Sequence, residues 1–248
     1  MKIILNIATH GNERIALKIA REIKKLDLDE RTLAVQIANK KAWAQNKRFI
    51  DQDLNRSFPG KKNGNYEERL AYKISPTVKA ADLVIDIHET TSKLKDAAIV
   101  TKLDEPTKKC LQAIRPKYAL VMNATKHNAL ISQAKIGIAF EYGKNDKTTL
   151  NKCVLGIKRL LKHLGVINIR LPKTKTVTRY FDVSSVVRKP DGYKLLKGIK
   201  NYQPIRAGQA YAGNGKNKLI AKTNFYPILF GEKNYTDIFG FRGKKIKY

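Results

Sequence analysis

The stretch KIILNIATHGNERIALKIAREIKKL, from Lys2 to Leu26, decides the fold. Its first residues, Lys2–Ala8, are nearly all apolar, which predicts a buried strand. Polar residues then interrupt the strand, and from Glu13 onward the apolar residues recur at helical spacing. The stretch therefore predicts a strand, a turn and a helix, with His10 and Glu13 on the turn.

The same alternation continues along the chain. Further strands are predicted at 31–38, 82–88, near Ile99, at 118–122 and at 136–141, and helices at 66–80, 104–114 and 146–164. Residues 39–65 lack periodicity and are predicted to form a long loop, a kind of segment that often carries function. Strands that alternate with helices predict an α/β fold in which helices flank a central sheet.

The pattern changes after residue 171. Short strands are predicted at 177–183, 218–221 and 226–230, separated by Gly, Pro and Asn. We therefore predict two domains: a catalytic α/β domain over 1–172 and a small β-rich domain over 173–248. Residues 242–247, the densest basic run, are predicted to form a modest tail.

Basic residues dominate the charge of the chain. It has 50 Lys and Arg against 21 Asp and Glu, a formal net charge of +29. Nucleic-acid binding is one interpretation, because cations that contact phosphates release counterions. The basic residues are spread along the whole chain, however, and no RNA-binding aromatic motif accompanies them. Nucleic acid is thus a possible but not a favoured partner, and a positive surface would attract small anions.

Cysteine content and hydropathy predict the compartment. Cys110 and Cys153 form no CxxC pair and are expected to be reduced thiols, so any zinc ligands must be His and carboxylates. The apolar N-terminal run is too short for a signal peptide, and no run reaches the roughly 18 residues of a membrane helix. We expect a cytoplasmic protein with no membrane partner; its oligomeric state is left open.

Three residues are candidate metal ligands: His10, Glu13 and His88. The first two stand three apart in a turn, and His88 ends the strand LVIDIH. Ligands of open α/β sheets gather at the carboxyl ends of strands. Two histidines and one glutamate leave a fourth zinc position for water, as catalytic sites do. Each residue alone is more often structural, so it is the combination that indicates a site.

Four segments in chain order carry a resemblance: THGNE (9–13), RFIDQDLNRSFPG (48–60), DLVIDIHET (82–90) and IAFEYG (138–143). They resemble the motifs of the succinylglutamate desuccinylase and aspartoacylase family, a branch of the zinc carboxypeptidase-like fold. The resemblance spans roughly residues 1–165 and implies a mixed central sheet flanked by helices. It is looser in GYKLLKGIKNYQPIRAGQAYA (192–212) and YPILFGEKNY (226–235).

The resemblance implies a role for each matching residue. His10, Glu13 and His88 match the ligands of one Zn²⁺ per chain, and Glu141 matches the general base. A structural alternative for Glu141 is an ion pair with a lysine. Asp51 or Asp53 is expected to accept a hydrogen bond from a ligand histidine or from Arg48 and so to orient it.

Substrate contacts are implied in the same way. Arg48 matches the arginine that polarises the scissile carbonyl, and Asn55 and Arg56 match the pair that binds a substrate carboxylate. Tyr235 matches a tyrosine that the C-terminal region supplies. A surface position for the arginines and ordinary packing for Tyr235 are the structural alternatives.

The chain departs from the aspartoacylase pattern at one substrate position. Where that enzyme has an arginine for the aspartate side chain, about ten residues before the general base, this chain has Ile131, with Gln133 and Lys135 nearby. His127 falls near a substrate tyrosine of the family. N-acetylaspartate is therefore a doubtful substrate.

Three functions are compatible with these features. The first is a zinc-dependent amidohydrolase, of deacylase type, for an N-acyl amino acid or a similar small anionic amide. The second is a metallocarboxypeptidase for peptides, which an open cleft would favour. The third is a non-catalytic basic protein that binds nucleic acid on the same scaffold, with binding that weakens steeply with salt.

Overall fold

The computed structural model describes residues 1–90, 96–125, 127–143, 147–231, 235 and 237–247. Its strands are β1 (Ile3–Ile7), β2 (Leu33–Ile37), β3 (Leu83–Thr90), β4 (Ala97–Val100), β5 (Tyr118–Met122), β6 (Gly137–Gly143), β7 (Arg179–Arg188), β8 (Lys194–Leu195), β9 (Ala210–Gly213), β10 (Lys218–Ile220), β11 (Tyr226–Ile228) and β12 (Ile238–Ile246). Its helices are α1 (Ile15–Lys24), α2 (Lys40–Ala44), α3 (Tyr66–Ala80), α4 (Glu105–Ile114) and α5 (Lys147–His163).

A nine-stranded sheet runs through the molecule in the order β11-β12-β7-β5-β4-β6-β3-β1-β2. Strand β1 pairs in parallel with β2 and β3, and β3 pairs in parallel with β6. Strands β4 and β6 are antiparallel, as are β7 and β12. The sheet is therefore mixed, and the predicted α/β class with flanking helices is confirmed.

Alternate residues of the central strands enter two different cores. Ile3, Leu5 and Ile7 pack with buried residues of α1, α4 and α5 on one face. Ile4 and Val84 pack with α3 on the other face. Because side chains alternate across a strand, Asp86 and His88 lie on the same face as Val84. Both cysteines are buried free thiols, as the sequence predicted.

Part of the predicted loop 39–65 is regular. It contains α2 and a 3₁₀ turn at Leu54–Arg56. Asn39 begins α2, since its side-chain oxygen accepts a hydrogen bond from the Ala42 amide at 3.1 Å. Helices this short have too few turns for a periodic apolar pattern, which is why the sequence prediction was wrong there.

The C-terminal region contributes to both sheets. Strands β7, β11 and β12 extend the large sheet beyond β5, and β8, β9 and β10 form a separate three-stranded sheet. Residues 242–247 are not a tail, because most of them belong to β12, which pairs with β7 along most of its length. Division of the chain at 172/173 remains a prediction.

None of the described helices is both long enough and apolar enough to cross a membrane.

Candidate active site

The site lies where β1, β3 and β6 end. Register pairs Asn6 of β1 with Asp86 of β3, and His88 of β3 with Glu141 of β6. Residues that pair across neighbouring strands point to the same face. The sheet thus places His88 and Glu141 side by side, and the turn after β1 brings His10 to the same edge.

Close packing shapes the turn that carries His10 and Glu13. Ala8 has a positive φ of 58°, a backbone conformation that lets the chain leave β1 abruptly. A Cβ on Gly11 would lie 2.1 Å from the carbonyl carbon of Ala42, so only glycine fits against α2. Arg14 then lies over the ring of Trp43, with its guanidinium carbon 4.0 Å from the ring centroid.

His10, Glu13 and His88 form a buried cluster in which one ligand atom from each lies within 4.8 Å of the others. The Nδ1 atom of His10 is 2.6 Å from one oxygen of Glu13, and Nδ1 of His88 is 3.1 Å from the other. Among the described residues, this is the group of His, Cys, Asp or Glu side chains with the geometry of a metal site.

Two further carboxylates hold the opposite ring nitrogens. Nε2 of His10 is 2.9 Å from Asp53, and Nε2 of His88 is 2.8 Å from Asp86. These contacts orient both rings so that each Nδ1 faces Glu13. The donors fit zinc well, because two imidazole nitrogens and a carboxylate are the ligands of catalytic zinc sites.

Asp86 is itself bound on its second oxygen. Asn6 donates to that oxygen at 2.7 Å, and Thr9 donates to it at 2.8 Å. All three side chains are buried. The His88 ring is therefore positioned by a fully satisfied polar network, which holds a side chain more firmly than packing alone.

Burial and neighbouring charges shift the pKa values of the cluster in opposite directions. Burial alone would lower the pKa of His88, but Asp86 and Glu13 outweigh burial and hold that pKa well above its usual value. Burial would raise the pKa of Glu13, but the two histidines outweigh it and hold that pKa below its usual range. The cluster therefore stabilises positive charge, whether carried by protons or by a metal ion.

Segment 48–56 reaches the site because a buried carboxylate anchors it. Glu67 of α3 accepts hydrogen bonds from the backbone amides of Ile50, Asp51 and Gln52, at 2.7, 2.9 and 3.2 Å. It also accepts from the side chain of Asn39 at 2.9 Å. Asp51 itself accepts from the amide of Tyr66 at the start of α3. Asp53, rather than Asp51, is thus the aspartate that orients site residues.

Arg48 and Asn55 extend from this segment toward the cluster. Asp53 accepts from Arg48 at 3.0 Å, and a second Arg48 nitrogen is 3.8 Å from Glu13. Asn55 accepts a hydrogen bond from the Leu130 amide at 2.9 Å, which fixes its side-chain oxygen. Arg56 donates to the carbonyl of Asn55 at 2.8 Å.

The pKa of Glu141 is raised, whereas those of Glu13 and Asp53 are lowered. Burial is the largest influence on Glu141 and, together with Glu13, raises its pKa to about 6, although His88, His10 and Arg48 oppose the shift. A carboxyl group with a pKa near neutrality can both accept and release a proton at neutral pH. This pKa is compatible with the role of general base that the sequence predicts for Glu141.

All eight candidate site residues line one cavity of about 240 Å³. Tyr235, from the C-terminal region, lies across the cavity, with its ring 5.8 Å from that of Phe241. The remaining wall combines apolar and polar side chains. The apolar ones are Ile99, Met122, Ala129, Ile131, Ala139, Leu229 and Phe241, and the polar ones are Asn12, Glu89, Thr90, Thr101 and Thr125.

The four residues that the sequence places near the substrate position of aspartoacylase do not all lie at the cavity. Ile131 lines the cavity, whereas Lys135 pairs with Asp82 at 3.0 Å and Gln133 bonds to Ser132. His127 is exposed. Of these four residues, only Ile131 faces the site.

Sequence reasoning missed Asp86 and Glu67. For Asp86 a signal exists, because it stands two residues before His88 in an apolar strand and must share its face. For Glu67 no local signal exists: it stands next to a second acid, Glu68, at the start of a helix, and its partners are 15 to 28 residues away in sequence.

Comparison with known proteins identifies the family to which the chain is similar. The family model for the succinylglutamate desuccinylase/aspartoacylase catalytic domain matches residues 1–164. An N-acyl-aromatic-L-amino acid amidohydrolase (carboxylate-forming) from Xenopus tropicalis is 26% identical, over 92% of this chain and 86% of its own. A probable aspartoacylase from Acaryochloris marina is 26% identical, over 94% of this chain and 92% of its own.

Solved structures share the fold at low identity. The crystal structure of murine aminoacylase 3 has a TM-score of 0.79 at 18% identity and covers 99% of this chain and 95% of its own. The structure of succinylglutamate desuccinylase from Vibrio parahaemolyticus has a TM-score of 0.73 at 16% identity, covering 99% and 82%.

Proposed function

Since the chain belongs to the succinylglutamate desuccinylase/aspartoacylase family, whose members hydrolyse amide bonds, we propose that it is a zinc-dependent amidohydrolase for small N-acyl amino acids. The observation that supports this most strongly is the convergence of His10, Glu13 and His88 in a cavity that also contains Glu141. A binding protein has no chemical need for that combination.

The metal would be held by Nδ1 of His10, Nδ1 of His88 and the Glu13 carboxylate. A zinc ion bound there supplies Lewis-acid chemistry, in that it activates water and polarises a carbonyl. Glu141, beside His88 in the sheet, accepts a proton from the attacking water and passes it to the leaving amine. Its pKa of about 6 suits both transfers.

The two arginines have separate tasks. Arg48 is held by Asp53 with its guanidinium against Glu13, where it can donate to the carbonyl oxygen as negative charge develops. Arg56 lies on the cavity wall beside Asn55 and binds the substrate carboxylate through its planar fork.

The rest of the cavity favours an apolar group over a second carboxylate. Among the described lining residues, the cations besides the two histidines are Arg48 and Arg56, and Arg48 is already paired. A second carboxylate placed against Ile131 and its apolar neighbours would be desolvated with no cation of the described lining free to pair with it, which is costly. We therefore favour N-acyl derivatives of apolar amino acids over N-acylaspartate.

The cavity also favours a small substrate over a peptide. Leu229, Tyr235 and Phe241 of the C-terminal region form part of its wall and narrow the cleft. A volume of about 240 Å³ suits a compact ligand better than an extended chain. This feature argues against the carboxypeptidase alternative.

Elemental analysis and amine release test the proposal together. We expect about one zinc per chain, loss of activity on chelation and recovery on zinc addition. N-acetyl-L-leucine and N-acetyl-L-phenylalanine should be cleaved faster than N-acetyl-L-aspartate. An Ile131→Arg variant should narrow that preference, because it adds a cation to the wall. A protein that binds no zinc, or releases no amine from any of these amides, would contradict the proposal.

A further inference from the structure

Tyr202 is an unusual residue outside the set that the mechanism uses. Its φ is +65°, a left-handed conformation that is uncommon for residues other than glycine. Its hydroxyl oxygen is buried and has no hydrogen-bond partner among the described residues. A buried hydroxyl without a partner costs stability, so such groups are few and call for an explanation.

The chain around Tyr202 maintains this conformation through specific contacts. The Tyr202 amide donates to the carbonyl of Pro227 at 2.9 Å. The side chain of neighbouring Asn201 donates to the carbonyl of Phe230 at 2.9 Å and accepts from its amide at 2.7 Å. The strained backbone is thus tied to the segment that leads toward Tyr235, as strain at functional sites commonly is.

Sheet register shows which way the Tyr202 ring faces. Glu141 pairs with Ala97 across β6 and β4, and Ala97 pairs with Tyr118 across β4 and β5. These three side chains form one row on one face of the sheet. The Tyr202 ring stacks on Tyr118, with centroids 3.7 Å apart and planes 9° apart. Ala97 alone separates Tyr118 from Glu141 in that row, so the stacked Tyr202 ring lies over the same face of the sheet as Glu141.

The electrostatic surroundings agree with this placement. Burial first, and then the negative charge of Glu141, hold the pKa of Tyr202 well above its usual value, with Tyr118 and Tyr235 adding to the shift. The phenol consequently keeps its proton at neutral pH, and it remains a hydrogen-bond donor.

We propose that Tyr202 is a positioning residue for Glu141: its hydroxyl donates a hydrogen bond, through one water molecule, to the Glu141 carboxylate. The role rests on the proposed function, because it matters only if Glu141 transfers protons. It explains why a strained backbone and an otherwise unsatisfied hydroxyl occur together over the face of the sheet that carries the base. A carboxylate oriented in this way spends more of its time aligned with the attacking water.

Tyr202→Phe tests the proposal, since it removes the hydroxyl and retains the stacked ring. We expect kcat to fall about 10-fold, the size of effect seen when outer partners of site residues are removed. KM should stay within about twofold and zinc content should not change. The midpoint of thermal unfolding should change little, because the variant retains the stacked ring and loses only one water-mediated hydrogen bond.

Two further variants separate positioning from packing. Tyr226→Phe is the matched control, because its ring packs against Phe181 in the same aromatic cluster, as the Tyr202 ring does, and it should leave kcat unchanged. Replacing Tyr202 by p-aminophenylalanine keeps a donor at the same place and should restore most of the lost kcat.

Three outcomes would overturn the proposal: an unchanged kcat in Tyr202→Phe, a raised KM with unchanged kcat, or a fall in kcat matched by a fall in thermal stability. The proposed function fails differently. In that case the wild-type protein itself would release no amine, whereas failure of the Tyr202 proposal alone leaves wild-type activity intact.

Discussion

The two sides of the cavity are built in contrasting ways. On the β1 and β3 side, polar side chains hold one another through a continuous network of short contacts, such as His10 to Glu13 at 2.6 Å and Asn6 to Asp86 at 2.7 Å. On the C-terminal side, aromatic rings meet edge to face, as Tyr235 and Phe241 do at 5.8 Å.

This contrast indicates a division of work. Directional hydrogen bonds among buried groups fix atoms to within fractions of an ångström, as metal ligation requires. Aromatic packing excludes water and shapes the wall, but it tolerates small shifts. We therefore expect substitutions on the first side to affect metal binding and turnover, and those on the second side to affect substrate binding more modestly.

The largest expected effect is that of His88→Ala. Removing one of two imidazole ligands should leave purified protein without stoichiometric zinc and lower amide hydrolysis by at least about 1000-fold. Elemental analysis and amine release measure both quantities. His127→Ala is the matched control, because His127 is exposed. Full zinc content in His88→Ala would contradict the proposal that the β1 and β3 side of the cavity binds the metal.

Glu141→Gln should separate metal binding from turnover. The amide is close in shape to the carboxylate but cannot accept the proton, so kcat should fall about 1000-fold while zinc content stays near one per chain. Single-turnover kinetics on N-acetyl-L-leucine would measure the loss. A variant with wild-type kcat would remove Glu141 from the role of base.

Asp86→Asn tests the network behind the ligands. Losing the carboxylate that holds Nε2 of His88 should weaken zinc affinity by about 10- to 100-fold, and competition with a chromogenic chelator would measure the change. Asp51→Asn is the control, because Asp51 bonds to the start of α3 instead. Equal affinities in the two variants would show that the Asp86 contact is dispensable.

The pH profile offers a smaller and graded test. Glu141 must be ionised to accept a proton, and its pKa is raised to about 6, so activity is present above that pH and lost as the pH falls through it. A nearby divalent cation lowers a carboxyl pKa, so the acid limb of kcat/KM should lie at about pH 6 or below. Below it, the rate should drop about tenfold per unit. An acid limb centred above pH 7 would contradict the assignment.

Tyr235→Phe should have the smallest effect. Loss of one neutral hydrogen bond to substrate is worth about 1 kcal/mol, which corresponds to a few-fold rise in KM. Zinc content should not change, and steady-state kinetics with zinc analysis would check both. A loss of zinc in this variant would mean that the two sides of the cavity are not separable.

The fold could be predicted because its signals are local. Strand β1 was predicted from its consecutive apolar residues. Helix α3 matches its predicted span, and Asn65 and Glu68 cap its first turn reciprocally. Strand β12 was missed, because glycines and lysines interrupt it and only pairing with β7 makes it a strand. The periodicity of a sequence does not show which distant strand a segment will pair with.

The candidate site was predictable where ordered motifs carry it. The residues from His10 to Tyr235 that the resemblance indicated all line one cavity, although their roles remain proposals. Tyr202 and Glu67 could not be foreseen, since the first depends on a positive φ and ring stacking and the second on amides from a distant segment. Neither property can be recognised from the amino-acid sequence alone.

The contact between Arg14 and Trp43 has a practical consequence. Trp43 is the single tryptophan of the chain, and it lies against the turn that presents His10 and Glu13. Its indole emission is sensitive to a neighbouring charge, so the protein contains its own optical reporter at the very turn where a metal ion would bind. We therefore expect the emission to change during a titration with zinc in a fluorimeter, without any label.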